Sequence, residues 1–241
     1  MKLEGQVALV TGGSRGLGLS ICHALAAEGA AIACVARAGD ELDRAVAAIA
    51  ATGARAFAAA ADVTRADEVE RAVGSTLEKL GRIDLLILNA GTWQGAPIHE
   101  TTEQMWDFLI DLNLKGAFLA LKSALPHLIE RKRGTILGIA SLGAWDGQPG
   151  AAAYAASKWG LRGLLESVAL EVKPHGIRVS LVHPHLMNSA GRAIAPGSPE
   201  RARMIETDEV ASLIAWICSA PDHVSVGNAT IWPVAAGIES F

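Results

Sequence analysis

The chain has only three cysteines, Cys22, Cys34 and Cys218, an odd number without C-x-x-C spacing. That excludes a disulfide framework and a thiolate metal cage, so no metal is expected and a reducing compartment fits. No apolar run approaches the roughly 18 residues of a membrane span. The amino terminus, Met1-Lys2-Leu3-Glu4-Gly5, places an acid and a glycine ahead of the apolar Val7 to Val10, so a secretory h-region is missing. The expected location is the cytoplasm, away from membranes. A basic excess is also missing: the formal charge is -4, and the short run Arg131-Lys132-Arg133 reads as a solvated helix end. Nucleic acid is therefore not an expected partner. Repeats, heptads and linker-like tracts are absent, and one domain over residues 1–241 is expected.

What is present is apolar material in an alternating pattern. Hydrophobic residues make up 51% of the chain and charged residues 19%, enough to bury a large core. Gln6 to Thr11 reads as a strand, and Gly16 to Gly29 places Leu17, Ile21 and Leu25 at helical spacing. Strands over 30–36, 54–61, 84–88, 134–140 and 177–182, with a last one near Ala229 to Trp232, alternate with helices over 40–52, 66–80, 154–172 and 208–218. Two more helices, 101–112 and 115–131, are expected to be separated near Asn113. Residues 183–199 read as irregular. Such alternation implies an α/β fold: a single Rossmann-type doubly wound parallel sheet of about seven strands with helices on both faces.

Thr11-Gly12-Gly13-Ser14-Arg15-Gly16-Leu17-Gly18 lies between the first strand and the first helix. There, glycines let a pyrophosphate approach the backbone and a helix amino terminus offers unpaired N–H groups. Gly12, Ser14, Arg15, Gly16, Leu17 and Gly18 are the candidate cradle. About 20 residues further on, such folds offer an acid to the adenosine ribose or a base to its 2′-phosphate. Here the second strand ends Val35-Ala36-Arg37. With Ala36 in place of an acid, Arg15 and Arg37 could bracket a phosphate, so NADP(H) is preferred. Arg37 as a plain surface cation, with Asp40 turning back to the ribose, keeps NAD(H) open.

Tyr154 is the sole tyrosine, and Lys158 follows one helical turn later on the same face. A phenol with a pKa near 10 is a poor base at neutral pH, and bringing it to about 7 takes roughly 4 kcal/mol of preferential phenolate stabilisation. A neighbouring ammonium could supply part of that.

With these motifs in order, the chain resembles the short-chain dehydrogenase/reductase family over essentially its whole length, and within it members like the 3-oxoacyl-acyl-carrier-protein reductases. Asp62-Val63 resembles the family's adenine-contacting pair, Asn89-Ala90-Gly91 its Asn-Ala-Gly signature, and Tyr154 to Lys158 its Tyr-x-x-x-Lys. The resemblance implies a catalytic set of Asn113, Ser141, Tyr154 and Lys158. Tyr154 would exchange a proton with the substrate oxygen while hydride moves to or from the nicotinamide, and Ser141 would orient that oxygen. Lys158 would lower the tyrosine pKa and hold ribose hydroxyls, and Asn113 would anchor a relay water. Pro184, Leu186 and Ser189 would border the nicotinamide. A small-molecule carbonyl or secondary alcohol is the implied substrate, and a homo-oligomer, tetramer or dimer, pairing helices 115–131 and 154–172 is the implied assembly.

The chain departs from the pattern at His185, where relatives have glycine, and at Leu88, where many have a second asparagine. His185 could contact substrate or merely pack. The segment 190–207, a mobile lid in relatives, looks short and suggests a more open pocket. Trp93, Gln94, Trp145 and Gln148 could line a pocket for a fairly large substrate, or the indoles could simply pack. Besides an NADP(H)-dependent reductase, an NAD-dependent alcohol dehydrogenase and a cofactor sensor without turnover are the competing readings. The presence of all four catalytic groups argues against the sensor.

Overall fold

The computed structural model describes residues 1–189, 194–195 and 197–234. Small and branched apolar runs form β1 (Val7–Thr11), β2 (Ala31–Ala36), β3 (Ala56–Ala60), β4 (Leu85–Leu88), β5 (Gly134–Ile139) and β6 (Ile177–Pro184). The short β7 (Met187–Asn188) and β8 (Ile205–Glu206) precede a final β9 (Asn228–Ile231). The helices are α1 (Gly16–Ala27), α2 (Asp40–Ala50), α3 (Ala66–Leu80), α4 (Glu103–Ile110), α5 (Gly116–Arg131), α6 (Ala152–Val172) and α7 (Thr207–Cys218).

Seven strands pair in parallel in the order β3-β2-β1-β4-β5-β6-β9, the doubly wound arrangement expected. Because strand side chains alternate, each strand feeds two cores. Leu9, Leu86, Leu88 and Ile136 pack under α3, α5 and α6 through Val69, Val73, Leu121, Leu128 and Leu165. Ala8, Val10, Leu85, Ile87 and Leu137 pack under α1, α2 and α7 through Ile21, Leu25, Leu42, Ile49 and Ile214. A side chain at Gly138 would collide with Leu165, so this glycine lets α6 lie close on β5.

The order of strands reverses between β1 and β4, so the loops leaving their carboxyl ends part and open a crevice. Those ends are tied together. Thr11 Oγ1 donates to the Ile87 carbonyl at 3.2 Å and accepts from the N–H groups of Asn89 at 3.0 Å and Ala90 at 3.1 Å. Asn89 Nδ2 donates to the carbonyls of Thr11 at 2.9 Å and Gly12 at 3.1 Å. The sequence could not show this stitching, because its partners are 78 residues apart.

Two elements differ from expectation. Helices α4 and α5 are not separated at Asn113 but joined through a π-helical turn, Asp111–Lys115, in which the Gly116 N–H reaches back to the Asp111 carbonyl. The wider turn continues the rod while Asn113 goes into the interior, 1% exposed. Residues 183–199 are also not wholly irregular. β6 runs on to Pro184, and β7 pairs in parallel with β8.

The cradle is close-packed at Gly18, where an added Cβ would run into the Gly12 carbonyl oxygen, a backbone atom that cannot move aside. Gly18→Ala should lower the unfolding free energy by about 2–3 kcal/mol, read from denaturant melts. Gly74→Ala, on the exposed face of α3 with open space around it, should be neutral or stabilising by up to about 1 kcal/mol. Equal midpoints for the two variants would show that the cradle is loose.

Candidate active site

Gly12 and Gly16 adopt φ of +65° and +51°, left-handed values that glycine takes without strain, and they turn the chain from β1 into α1. Leu17 buries its side chain in the core, so only its backbone can face a ligand. The Ser14 hydroxyl donates to Glu41 Oε1 at 2.6 Å, and the Arg15 guanidinium lies 3.6 Å from Glu41 Oε2. Arg37 is exposed at the end of β2. Burial works against the Asp62 carboxylate, but hydrogen bonds from Thr64 and the fields of Arg37 and Arg65 outweigh it and hold its pKa below the usual value. Val63 is buried against Gly116 at the start of α5.

Across the crevice, α6 carries Tyr154 and Lys158 on one face. Lys158 is 4% exposed, its Nζ donates to the Ile139 carbonyl at 2.8 Å, and it stands 5.9 Å from the centroid of the Tyr154 ring. Loss of hydration draws the lysine down to about 8, so the ammonium remains the main form at neutral pH. Burial pushes the Tyr154 phenol up, and the neighbouring Ser141 hydroxyl draws it partly back. Acidifying the phenol would take the positive charge of an oxidised nicotinamide beside it as well as Lys158. Desolvation is the largest influence, and the lysine spends a hydrogen bond on a backbone carbonyl instead. Ser141 Oγ accepts from the Gly143 N–H at 3.1 Å, which leaves its own proton free to be donated.

Asn113 fastens these pieces. Its Oδ1 accepts from the Thr92 N–H at 2.8 Å, and its Nδ2 donates to the Thr92 carbonyl and to Ser157 Oγ, each at 3.0 Å. Ser157 in turn donates to the Tyr154 carbonyl at 2.7 Å. Gly91 lies between the two walls: a Cβ there would stand 3.0 Å from Asn113 Oδ1 and 3.4 Å from Lys158 Nζ. Sequence reasoning singled out neither Thr92, Ser157 nor Glu41. Ser157 was visible beside Lys158, but its partner lies 44 residues away.

At the exit of β6, Pro184 pairs in register with Ile231, and the His185 N–H donates to the Ile231 carbonyl at 2.9 Å. His185 Nδ1 is buried without a hydrogen-bond partner, and desolvation lowers its pKa, which keeps the ring neutral. Leu186 and Ser189 follow, both partly buried. Of the short lid, residues 190–193 and 196 lie outside the described residues. Trp93 is 59% exposed, and Gln94 and Gln148 are exposed as well. Trp145 is tied down: its Nε1 donates to His183 Nδ1 at 3.0 Å, and the Arg162 guanidinium lies 3.4 Å above its ring. A cavity of about 260 Å³ bordered by Lys2, Asp84, Arg133 and Arg178 lies at the opposite ends of the strands, remote from this cluster. Among the described residues no His, Cys, Asp and Glu groups are placed to hold a metal, and the three cysteines are buried and free.

A glycine cradle at a strand-order switch point, facing a tyrosine, lysine, serine and asparagine cluster, defines a doubly wound α/β oxidoreductase. The short chain dehydrogenase family model matches residues 6–195, and the chain belongs to that family. It is 37% identical over 226 residues to a 3-oxoacyl-[acyl-carrier-protein] reductase of Synechocystis, covering 91% of each chain. Among solved structures it is similar to a metagenomic short-chain oxidoreductase in complex with NADP, at 36% identity and TM-score 0.85, over 97% of this chain and 99% of the other. It is also similar to an alcohol dehydrogenase from the archaeon Thermococcus sibiricus complexed with 5-hydroxy-NADP, at 28% identity and TM-score 0.91, over 98% and 99%.

The depressed Lys158 has a measurable cost. A fall from near 10.4 when unfolded to about 8 in the fold makes burial of the charge unfavourable by about 3 kcal/mol at pH 7. Lys158→Met removes that cost but leaves the Ile139 carbonyl unpaired, so the variant should be about 1–2 kcal/mol more stable at pH 7. Between about pH 8 and 10.4 the unfolded chain keeps the proton that the folded chain has released, so wild-type stability rises relative to the variant and the gap closes. Urea unfolding of both proteins at neutral and alkaline pH reads this directly. A gap that stays constant across that window would contradict the lysine assignment.

Proposed function

We propose that this chain is an NADP(H)-dependent reductase that converts a small-molecule ketone to a secondary alcohol. The observation that carries this reading is the placement of the Tyr154 ring, the Ser141 hydroxyl and the Lys158 ammonium together at the carboxyl ends of the strands, the first two on either side of Gly143. Bound NADPH supplies the hydride. The Ser141 hydroxyl hydrogen-bonds the carbonyl oxygen and fixes its orientation, keeping its own proton. Tyr154 gives its proton to the same oxygen as negative charge develops there, completing the alcohol. Lys158, drawn down to about 8 by burial, stands as a cation beside the tyrosine and has N–H groups left over for ribose hydroxyls. The Asn113 side chain is committed to Thr92 and Ser157, so its part is to lock the Thr92 loop to α6. A relay water at this residue would need the second lone pair of Oδ1 or the main-chain carbonyl.

The residues fit the dinucleotide. Gly12, Gly16 and Gly18, with the amides of Ser14 and Leu17, form a pyrophosphate cradle whose backbone a Cβ at Gly12 or Gly18 would push out of shape against Ala90 or the Gly12 carbonyl. Ionised Asp62 with Val63 would take the adenine end, Asn89, Ala90 and Gly91 the middle, and Pro184, Leu186 and Ser189 the nicotinamide. Arg15 and Arg37 would hold the 2′-phosphate. The NADP complexes of the similar structures support this choice, and the Synechocystis relative makes an oxoacyl thioester the first substrate to try. The free, buried thiols suit a cytoplasmic setting, and we read residues 1–241 as one domain.

We also read the protein as a homo-oligomer that buries the exposed Phe118 of α5 and the exposed Trp159 and Leu170 of α6. Sedimentation should give a dimer or tetramer, and Leu170→Asp with Trp159→Asp should shift it to monomer. A wild-type monomer at micromolar concentration would overturn this assembly.

Tyr154→Phe should cut turnover with NADPH and a ketone by about a hundredfold or more. Its affinity for NADPH should stay within about threefold of wild type, measured by fluorescence titration. Near wild-type turnover in this variant, or a strong preference for NADH at equal concentration, would defeat the proposed chemistry or the proposed cofactor respectively.

A further inference from the structure

We propose that Glu41 sets this protein's discrimination between adenosine 2′-phosphate and a free adenosine ribose, by acting as an internal competitor for Ser14 and Arg15. The inference rests on the NADP(H) reading above. Glu41 is the second residue of α2, and from there it reaches back over the β2–α2 turn to the glycine loop 27 residues earlier. Its Oε1 takes the proton of Ser14, which is 8% exposed, at 2.6 Å, and its Oε2 lies 3.6 Å from the Arg15 guanidinium. Asp40 and Asp43 share the first turn of α2, where the partial positive charge of the helix amino terminus favours carboxylates. Glu41 is therefore held in place from two directions.

A 2′-phosphate drawn to Arg15 and Arg37 would arrive beside this carboxylate. Two anions cannot share Ser14 and Arg15 without repulsion, so a phosphorylated ribose must displace Glu41. A ribose with a free 2′-hydroxyl meets the opposite situation, because Glu41 can accept its proton. The acid missing at Ala36 is thus supplied from α2, one turn of chain further on. The protein carries the cations for one dinucleotide and the carboxylate for the other, and Glu41 sets the balance.

The test is calorimetric titration of wild type and Glu41→Gln with adenosine 2′,5′-bisphosphate and with 5′-AMP. Glutamine keeps the size and can still accept from Ser14, so the fold is retained. The variant should bind the bisphosphate about five- to tenfold more tightly and bind 5′-AMP equally or more weakly. The gain should shrink at high salt. A ratio of the two affinities that Glu41→Gln leaves unchanged, or lowers, overturns the proposal. The NADP(H) reading fails separately, if wild type binds the bisphosphate no better than 5′-AMP. In that case a ratio raised by the variant would still support the role of Glu41.

Discussion

The separation of two strand ends governs this molecule. β1 and β4 are neighbours whose following loops must diverge, and the Thr11 hydroxyl together with the Asn89 side chain holds them at one fixed spacing. These bonds satisfy backbone groups that the diverging chain would otherwise leave unpaired. They also fix the glycine cradle relative to Gly91, and through Gly91 relative to Asn113 and Lys158. The nucleotide side and the chemical side of the crevice are therefore parts of one rigid frame.

Beyond that frame the site is a buried polar network with nearly every group paired. Asn113 joins the Thr92 loop to Ser157, Ser157 joins it to the Tyr154 carbonyl, and Lys158 is tied to Ile139. In a low-dielectric interior a half-satisfied network would be costly. The π-helical turn at 111–115 belongs to the same solution, since it is the segment that delivers Asn113 to the interior. The remaining expense falls on Lys158, whose charge is kept without a carboxylate nearby.

Much of this was legible in advance. Aliphatic runs broken by glycine gave the strands, and the spacing of Tyr154 and Lys158 put both on one helical face. The π turn was not legible, because an i→i+5 turn differs from an i→i+4 turn by one residue and has no composition of its own. β7 and β8, at two residues each, are too short to carry a period. Glu41 on Ser14 and Lys158 on Ile139 depend on contacts between distant segments, and the second partner is a carbonyl that every residue possesses. The burial of the Tyr154 phenol was hidden for a related reason: spacing shows which groups are neighbours, but not how deeply the fold buries them.

The carboxyl end of β6 decides between the two accounts of the loop indoles. His183 is fully buried, with Trp145 Nε1 at 3.0 Å from Nδ1 and Asn228 Oδ1 at 2.8 Å from Nε2. The ring is thus held at both nitrogens, with the indole N–H on one and the Asn228 amide oxygen on the other. Ser141's carbonyl, 3.1 Å from the same Nδ1, shows how closely this packing approaches the loop after β5. With Arg162 covering its ring, Trp145 is a structural brace for that loop. Trp93 is 59% exposed against 38% for Trp145, so of the two indoles it has the larger free surface to offer a substrate.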